Sequence, residues 1–215
     1  MILLNAIYFK GTWLKEFSEN ATSTNNFYNF NDKLKVTKVD MMSINENFNY
    51  YEDKEIQIIE LPYTKDSMSA IIILPNKDIN INDFISDLND DKLQKIMKKM
   101  YKKEVKLILP KFELEFSSLL NDVLQKMGMI EAFDQEKADL TGMRDLKDIF
   151  IGKVVQKTYL KVDEKGTEAA AVTAVIVYNS LPIIMNINRP FLFFLRNKKL
   201  PINYEMIFMA KIEEL

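Results

Sequence analysis

Apolar residues recur at every second position along much of this chain, the period of a strand rather than of a helix. Val105, Leu107 and Leu109 are spaced this way up to Pro110. Phe112, Leu114 and Phe116 then alternate strictly with Lys111, Glu113 and Glu115, which predicts a half-buried strand. Glu55 to Leu61 and Ser69 to Leu74 are apolar runs, each stopped by a proline, with the turn "YTKDS" (63–67) between them, which predicts a hairpin. Val36 to Met42, Phe48 to Tyr51 and Val154 to Val162 read as further strands, and residues 20–32 as a connection or edge strand. "PFLFFLR" (190–196) and "EMIFMAKI" (205–212) form an apolar pair near the C-terminus. The run Met1 to Phe9, broken by Asn5, is too short for a membrane span and has neither a basic lead nor a cleavage site, so it reads as a buried strand with no targeting segment. Gly11 ends it, and Trp13 and Phe17 lie in the turn beyond.

The helical period appears twice. Leu93, Ile96, Met97, Met100 and Tyr101 share one face, with Asp90 or Asp91 as the cap. Lys98, Lys99, Lys102 and Lys103 follow, either as a solvated helix end suited to the dipole or as a patch for an anionic ligand. Ser117 caps a second, short helix carrying Leu120, Val123, Leu124 and Met127, which Gly128 ends. About nine or ten strands and two or three short helices predict an α+β chain dominated by antiparallel sheet. No repeat or linker divides it, so residues 1–215 are read as one unit.

Composition narrows the chemistry. The 215 residues are 47% apolar and 28% charged with net charge −2, ordinary globular usage with no field that draws nucleic acid or an anionic membrane. There is no His, which excludes Ser–His–Asp and Cys–His triads and most zinc sites, and no Cys, which excludes thiol nucleophiles and disulfides. The five glycines form no phosphate loop, the carboxylates show no D-x-D-x-D-G spacing, and the methionines read as core fillers. Asn20-Ala21-Thr22 is a glycosylation sequon. Nothing recommends an enzyme, a cofactor or a metal.

One stretch resists this reading. "EKGTEAAAVTAV" (164–175) follows a strand, yet has neither the charge of a solvated loop nor the bulk of a core strand. Small and β-branched residues without proline can pass between two strands of an existing sheet, where large or charged side chains would obstruct entry. A low-propensity surface loop is the plainer reading.

The longer segment "VDEKGTEAAAVTAV" (162–175) closely resembles the hinge of the serpin family. "NAIYFKGTW" (5–13) resembles that family's third central-sheet strand and the turn after it. "ELPY" (60–63), "ILPN" (73–76), "LPKFELE" (109–115), "ADLTGM" (138–143) and "NRPFLFFLR" (188–196) match in the same order. The resemblance implies a mixed, mainly antiparallel multi-sheet fold with short helices and an exposed reactive loop. It covers the family's C-terminal portion; the helical N-terminal half and the first two central strands have no counterpart in this sequence. It also implies a mechanism: a bait after the hinge is cleaved by a protease, which is held as an acyl-enzyme while the hinge enters the central sheet as a new strand, a switch for which this family is itself a known example. Gly166 would be the pivot. Thr167, Ala169 and Ala171 would face the sheet interior, Glu168 and Ala170 outward, and Val172 and Thr173 complete the hinge.

The family's hinge spacing puts the scissile bond at Ser180–Leu181, or at Asn179–Ser180 with one residue less. Neither suits a trypsin-like pocket. Ser180 suits an elastase-like enzyme, and Tyr178 a chymotrypsin-like or cathepsin-like one in another register. Asn5, Trp13, Lys111, Gln156 and Glu164 fall in the region where the sheet opens, with Lys111 and Glu164 expected close together. The implied partner is a target protease, met by a monomer in the extracellular space, with the cytoplasm as close alternative. Three positions depart from the family pattern: Gln156 where many members have His, Ala210 where Gly is common, and "NKKLPINY" (197–204) in place of a tight turn. Two classes stay open: a suicide inhibitor of serine or cysteine proteases, favoured by the small hinge residues, and a non-inhibitory or degenerate serpin-like binding protein.

Overall fold

The computed structural model describes residues 1–29, 36–64, 67–143, 148–166, 182–201 and 204–215. These gather into two compact units, one of residues 1–10 and 113–161, the other of residues 11–112 and 162–215.

In the first unit, β1 (Ile2–Tyr8) pairs in parallel with β8 (Lys153–Val162), whose other neighbour is β7 (Phe112–Leu119). The register sets Ile2 against Lys153 and Asn5 against Gln156. Met1 is tied in by its ammonium, which donates to the Phe150 carbonyl at 2.7 Å. Contrary to the expectation of a buried strand, β1 is exposed along nearly its whole length, Leu4 at 80%. It has β8 on one side only among the described residues, and most of its apolar side chains are exposed. Phe116 is exposed as well, so β7 is buried at Phe112 and mostly open beyond it. Ser117 belongs to β7 and caps nothing. Helix α3 (Asn121–Lys126) starts after Leu120, and the Asn121 side chain instead donates to the Gly152 carbonyl at 2.8 Å and accepts from the Val154 amide at 2.9 Å. Gly128, just past α3, has φ +100°, the left-handed conformation that ends a helix without a Cβ penalty.

The second unit is built on an eight-stranded sheet. β2 (Ser23–Tyr28) pairs with β3 (Val36–Glu52). The path then runs from β11 (Met206–Ile212) through β10 (Phe191–Asn197), β5 (Met68–Pro75), β4 (Ile56–Pro62), β3 and β6 (Tyr101–Pro110) to β9 (Ile183–Asn186). All pairings are antiparallel except β6 with β9. The two strands expected at 36–42 and 48–51 are one 17-residue strand, because β6 pairs with β3 without a break from Met41 to Tyr50 and carries Asn45, Glu46 and Asn47 through.

Alternation decides which residues face which layer. Ile56, Ile58, Ile71, Ile73, Leu192 and Phe194 pack with Ile81 and Phe84 of α1 (Ile81–Asp87) and Leu93 and Ile96 of α2 (Asp90–Met97). Elsewhere in the unit, Phe27, Phe112, Phe191 and Phe193 meet edge to face, with centroids 5.6–6.4 Å apart. Both faces of β5 are therefore covered, which is why its sequence is unbroken apolar from Ala70 to Pro75. Buried Glu60 and Glu205 are tolerated because Arg196 lies 3.6 Å from the first and 3.0 Å from the second, with Lys198 also on Glu60.

Helix α2 corrects the expected cap. Asn89, not Asp90 or Asp91, accepts the Lys92 amide at 2.9 Å. The helix stops at Met97, and Tyr101 opens β6 opposite Tyr50, since a β-prone residue with a strand partner gains more from the sheet than from a helix end. The lysine run is split accordingly. Lys99 lies over the Tyr51 ring at 5.1 Å, and Lys103, on β6, over the rings of Tyr50 and Tyr101.

Candidate functional site

The chain leaves β8 at Val162 and reaches the limit of the described stretch at Gly166. These last residues are fixed by a tight turn. The Gly166 amide donates to the Asp163 carbonyl at 3.1 Å, and the Lys165 amide to Asp163 Oδ1 at 3.1 Å. Gly166 has φ +93°, and a Cβ built there would lie 2.5 Å from the Gly11 carbonyl oxygen and 2.5 Å from the Trp13 nitrogen. Only glycine lets the two backbones approach this closely.

Trp13 is the other half of the contact. Its amide donates to the Lys165 carbonyl at 3.1 Å and its indole Nε1 to the Asp163 carbonyl at 3.0 Å. The ring is 1% exposed and stacks on Tyr63 at 4.4 Å. Burial pushes the Tyr63 phenol well above its usual range, so it is neutral at any physiological pH. Backbone hydrogen bonds from Leu14 to Pro62 and from Thr64 to Thr12 sew the Trp13 segment to the end of β4.

Glu164 gathers the remaining contacts. Its carbonyl accepts the Phe17 amide at 2.9 Å. One carboxylate oxygen accepts the Thr22 hydroxyl at 2.7 Å, and the other meets the Lys111 ammonium at 3.1 Å. Burial raises its carboxyl pKa, but the hydrogen bonds from Thr22, its own amide and Lys111, with the Lys111 charge, outweigh burial and hold it below the ordinary value. Lys111 is held in turn by its amide, which donates to the Asp40 carbonyl at 2.8 Å. Lys165 and Glu19 add a looser, exposed pair at 3.7 Å.

Of the residues expected where the sheet opens, Trp13, Lys111 and Glu164 thus share one site in the second unit, with Gly166. Asn5 and Gln156 are register partners in the first unit. Thr167, Glu168, Ala169, Ala170, Ala171, Val172, Thr173, Asn179, Ser180 and Leu181 lie outside the described residues, as does Tyr178. Thr22, Phe17 and Tyr63 complete the site without having been singled out for it. Thr22 carried a local signal only as the third residue of the sequon, and its hydroxyl is engaged by Glu164, 142 positions away. Nothing short-range could have announced that pairing.

A parallel β1–β8 pair, a large antiparallel sheet under two short helices, and a Trp-clamped glycine turn at the end of β8 define a mixed α+β protein of the serpin type. The profile of the Serpin (serine protease inhibitor) family matches residues 1–214, and the chain belongs to that family. It is 36% identical over its whole length to Intracellular coagulation inhibitor 2 of Tachypleus tridentatus, of which it covers 53%. It is 38% identical to Leukocyte elastase inhibitor of Homo sapiens, over 92% of this chain and 54% of that protein, and 36% identical to Antichymotrypsin-2 of Bombyx mori, over 91% and 53%. Among solved structures it is similar to the native thermophilic serpin tengpin (TM-score 0.83, 30% identity) and to native protease nexin-1 with heparin (TM-score 0.86, 28% identity), covering all of this chain and 55% and 57% of those. The chain spans about half the length of the curated relatives it matches.

Proposed function

We propose that residues 1–215 form one serpin-type domain that acts in a suicide inhibitor of serine endopeptidases, with cysteine endopeptidases as a second target class. It takes part as bait and sheet, not as a catalyst. The observation that carries this reading is the clamped turn at 163–166. Glu164 and Gly166 are held by Trp13, Thr22 and Lys111 immediately before a stretch of mostly small and β-branched residues whose one charge before Tyr178 is Glu168. A fixed root followed by a segment that can enter a sheet is what insertion of a cleaved bait demands. The bait bond in this reading is Ser180–Leu181 or Asn179–Ser180. Elastase-like and chymotrypsin-like targets fit it better than trypsin-like ones, and the names of the human and Bombyx mori relatives favour the same two classes. The name of the Tachypleus tridentatus relative favours the cytoplasmic alternative over the extracellular one. Among the described residues no helix is long and apolar enough to cross a membrane.

A second reading, a non-inhibitory serpin-like binding protein, is favoured by the exposed apolar side chains of β1, which leave the sheet an insertion would enter uncovered on that strand. The test is Thr167→Arg. If insertion occurs, Thr167 enters the sheet, and an unpartnered arginine there costs several kcal/mol. The parent is expected to form a complex with elastase or chymotrypsin that survives a denaturing gel. The variant is expected to be cleaved at the bait without forming one. Equal complex from both would refute the insertion role, and no complex from the parent with any protease tried would favour the second reading.

A further inference from the structure

Between the loop after β5 and the loop before β10, both in the second unit, lies a cavity of about 680 Å³, within the range of sites that hold small organic ligands. Tyr28, Asn29, Lys77, Asn80, Asn188 and Arg189 are among the residues lining it. Two of these, Asn29 and Arg189, bring polar groups to the cavity that bear on a ligand. Asn29 is 4% exposed; its Nδ2 donates to Thr37 Oγ1 at 2.9 Å, while its Oδ1 is buried and meets no donor among the described residues. Arg189 donates from Nε to the Pro75 carbonyl at 2.9 Å, and no carboxylate pairs with it among the described residues. Burial accordingly lowers its pKa, with no neighbouring charge to oppose the effect. A guanidinium has five N–H donors in a planar fork, and in half-buried Arg189, whose Nε is already taken by Pro75, a partly desolvated cation is stabilised by an anion that completes the fork. Lys77 and Asp78 sit side by side along the same wall and balance as charges, so Arg189 sets the sign of the cavity.

We propose that this cavity binds a small carboxylate that also carries an N–H or O–H donor. Its carboxylate is held by the Nη groups of Arg189 and its donor is received by Asn29 Oδ1. The fork of a single guanidinium matches a planar carboxylate better than a phosphate, which is usually met by several cations. The half-exposed Tyr28 ring offers a wall for an apolar body. This site stands independently of whether the protein inhibits a protease.

The test is calorimetric titration of the 215-residue chain with N-acetyl-L-phenylalanine, with its uncharged amide, N-acetyl-L-phenylalaninamide, and with inorganic phosphate. Saturable one-to-one binding of the acid is expected, with the amide and phosphate each weaker by about tenfold or more. Arg189→Gln is expected to weaken the acid by a similar factor while leaving the already weak amide unchanged. Because Arg189 also ties Pro75, circular dichroism and the melting temperature establish that the variant is folded; if it is not, the acid-to-amide ratio on the parent decides alone. No binding of the acid up to about 10 mM, a weak-affinity limit, overturns the proposal. So does equal binding of the amide or phosphate, or undiminished binding of the acid by folded Arg189→Gln.

Discussion

A methyl group added at Gly166 would sit 2.5 Å from two backbone atoms of the Trp13 segment and 3.0 Å from a third. Backbone cannot rotate aside as a side chain can, and the φ of +93° is itself unfavourable for alanine. Gly166→Ala is therefore expected to destabilise the chain by about 1–2 kcal/mol from the dihedral alone and more from the clash. Gly142→Ala, with nothing within 4 Å, should change stability by less than about 0.5 kcal/mol. Urea midpoints of the two variants test this; equal midpoints would mean that the turn yields. Glu164 makes a second prediction. Its folded pKa lies below its ordinary value of 4.5, so its stabilisation is complete above that value and fades as pH falls through the lowered folded value. The stability gap between the parent and Glu164→Gln, about 1.5–3 kcal/mol at neutral pH for hydrogen bonds to a charged group, should narrow on titration from pH 6 toward pH 3. A gap that stays constant would show that the charge of Glu164 contributes nothing.

Elements were legible where one force dominated. The hairpin of β4 and β5 and strand β10 follow directly from apolar runs and their prolines, because burial on both faces leaves a continuous signal, and β11 follows from its apolar run beside them although one of its faces is exposed. The boundaries of α2 were not, since Met100 and Tyr101 fit the helical period while the sheet claims Tyr101. Helix α1 carries Ile81, Phe84, Ile85 and Leu88 at helical spacing and was passed over in the sequence, while strand β9, with four residues, is too short to show a period. The cap of α2 illustrates the local competition: three adjacent residues, Asn89, Asp90 and Asp91, can each accept an amide, and only the backbone angles of Asn89 (φ −128°, ψ 172°) turn its side chain onto the first turn. Asn89→Ala should cost about 0.5–2 kcal/mol. Asp90→Ala, which loses only a favourable charge near the helix start, should cost about 0.3–1 kcal/mol. Denaturation of both variants discriminates, and a larger loss for Asp90→Ala would return the cap to the position the periodicity suggested.

For the molecule as a whole, the order of motifs along the chain identified the family, while the partners across space did not show in it. Lys111 and Glu164 were expected together and lie 3.1 Å apart; Thr22, which completes that pairing, came from a segment that read only as connection or edge strand. The insertion reading makes residues 167–182 the expected site of first cleavage, since a bait has to be reachable. Limited digestion with elastase-like and chymotrypsin-like enzymes, read by mass spectrometry, should show first cuts there; first cuts in residues 20–32 would count against it.

The parallel pairing of β1 with β8 also sets a timetable. Ile2 waits for Lys153, 151 positions later, which at roughly 5–20 residues per second means about 8–30 s of synthesis before its partner exists. Throughout that interval "ILLNAIY", seven residues without charge, proline or glycine, lacks β8 and can meet another nascent copy of itself. Loss of product to aggregates should therefore rise steeply with expression rate and with concentration during refolding. Leu4→Lys, at a side chain 80% exposed in the finished fold, should raise the recovered yield with little change in melting temperature. An unchanged yield would mean that the first strand is shielded before its partner arrives.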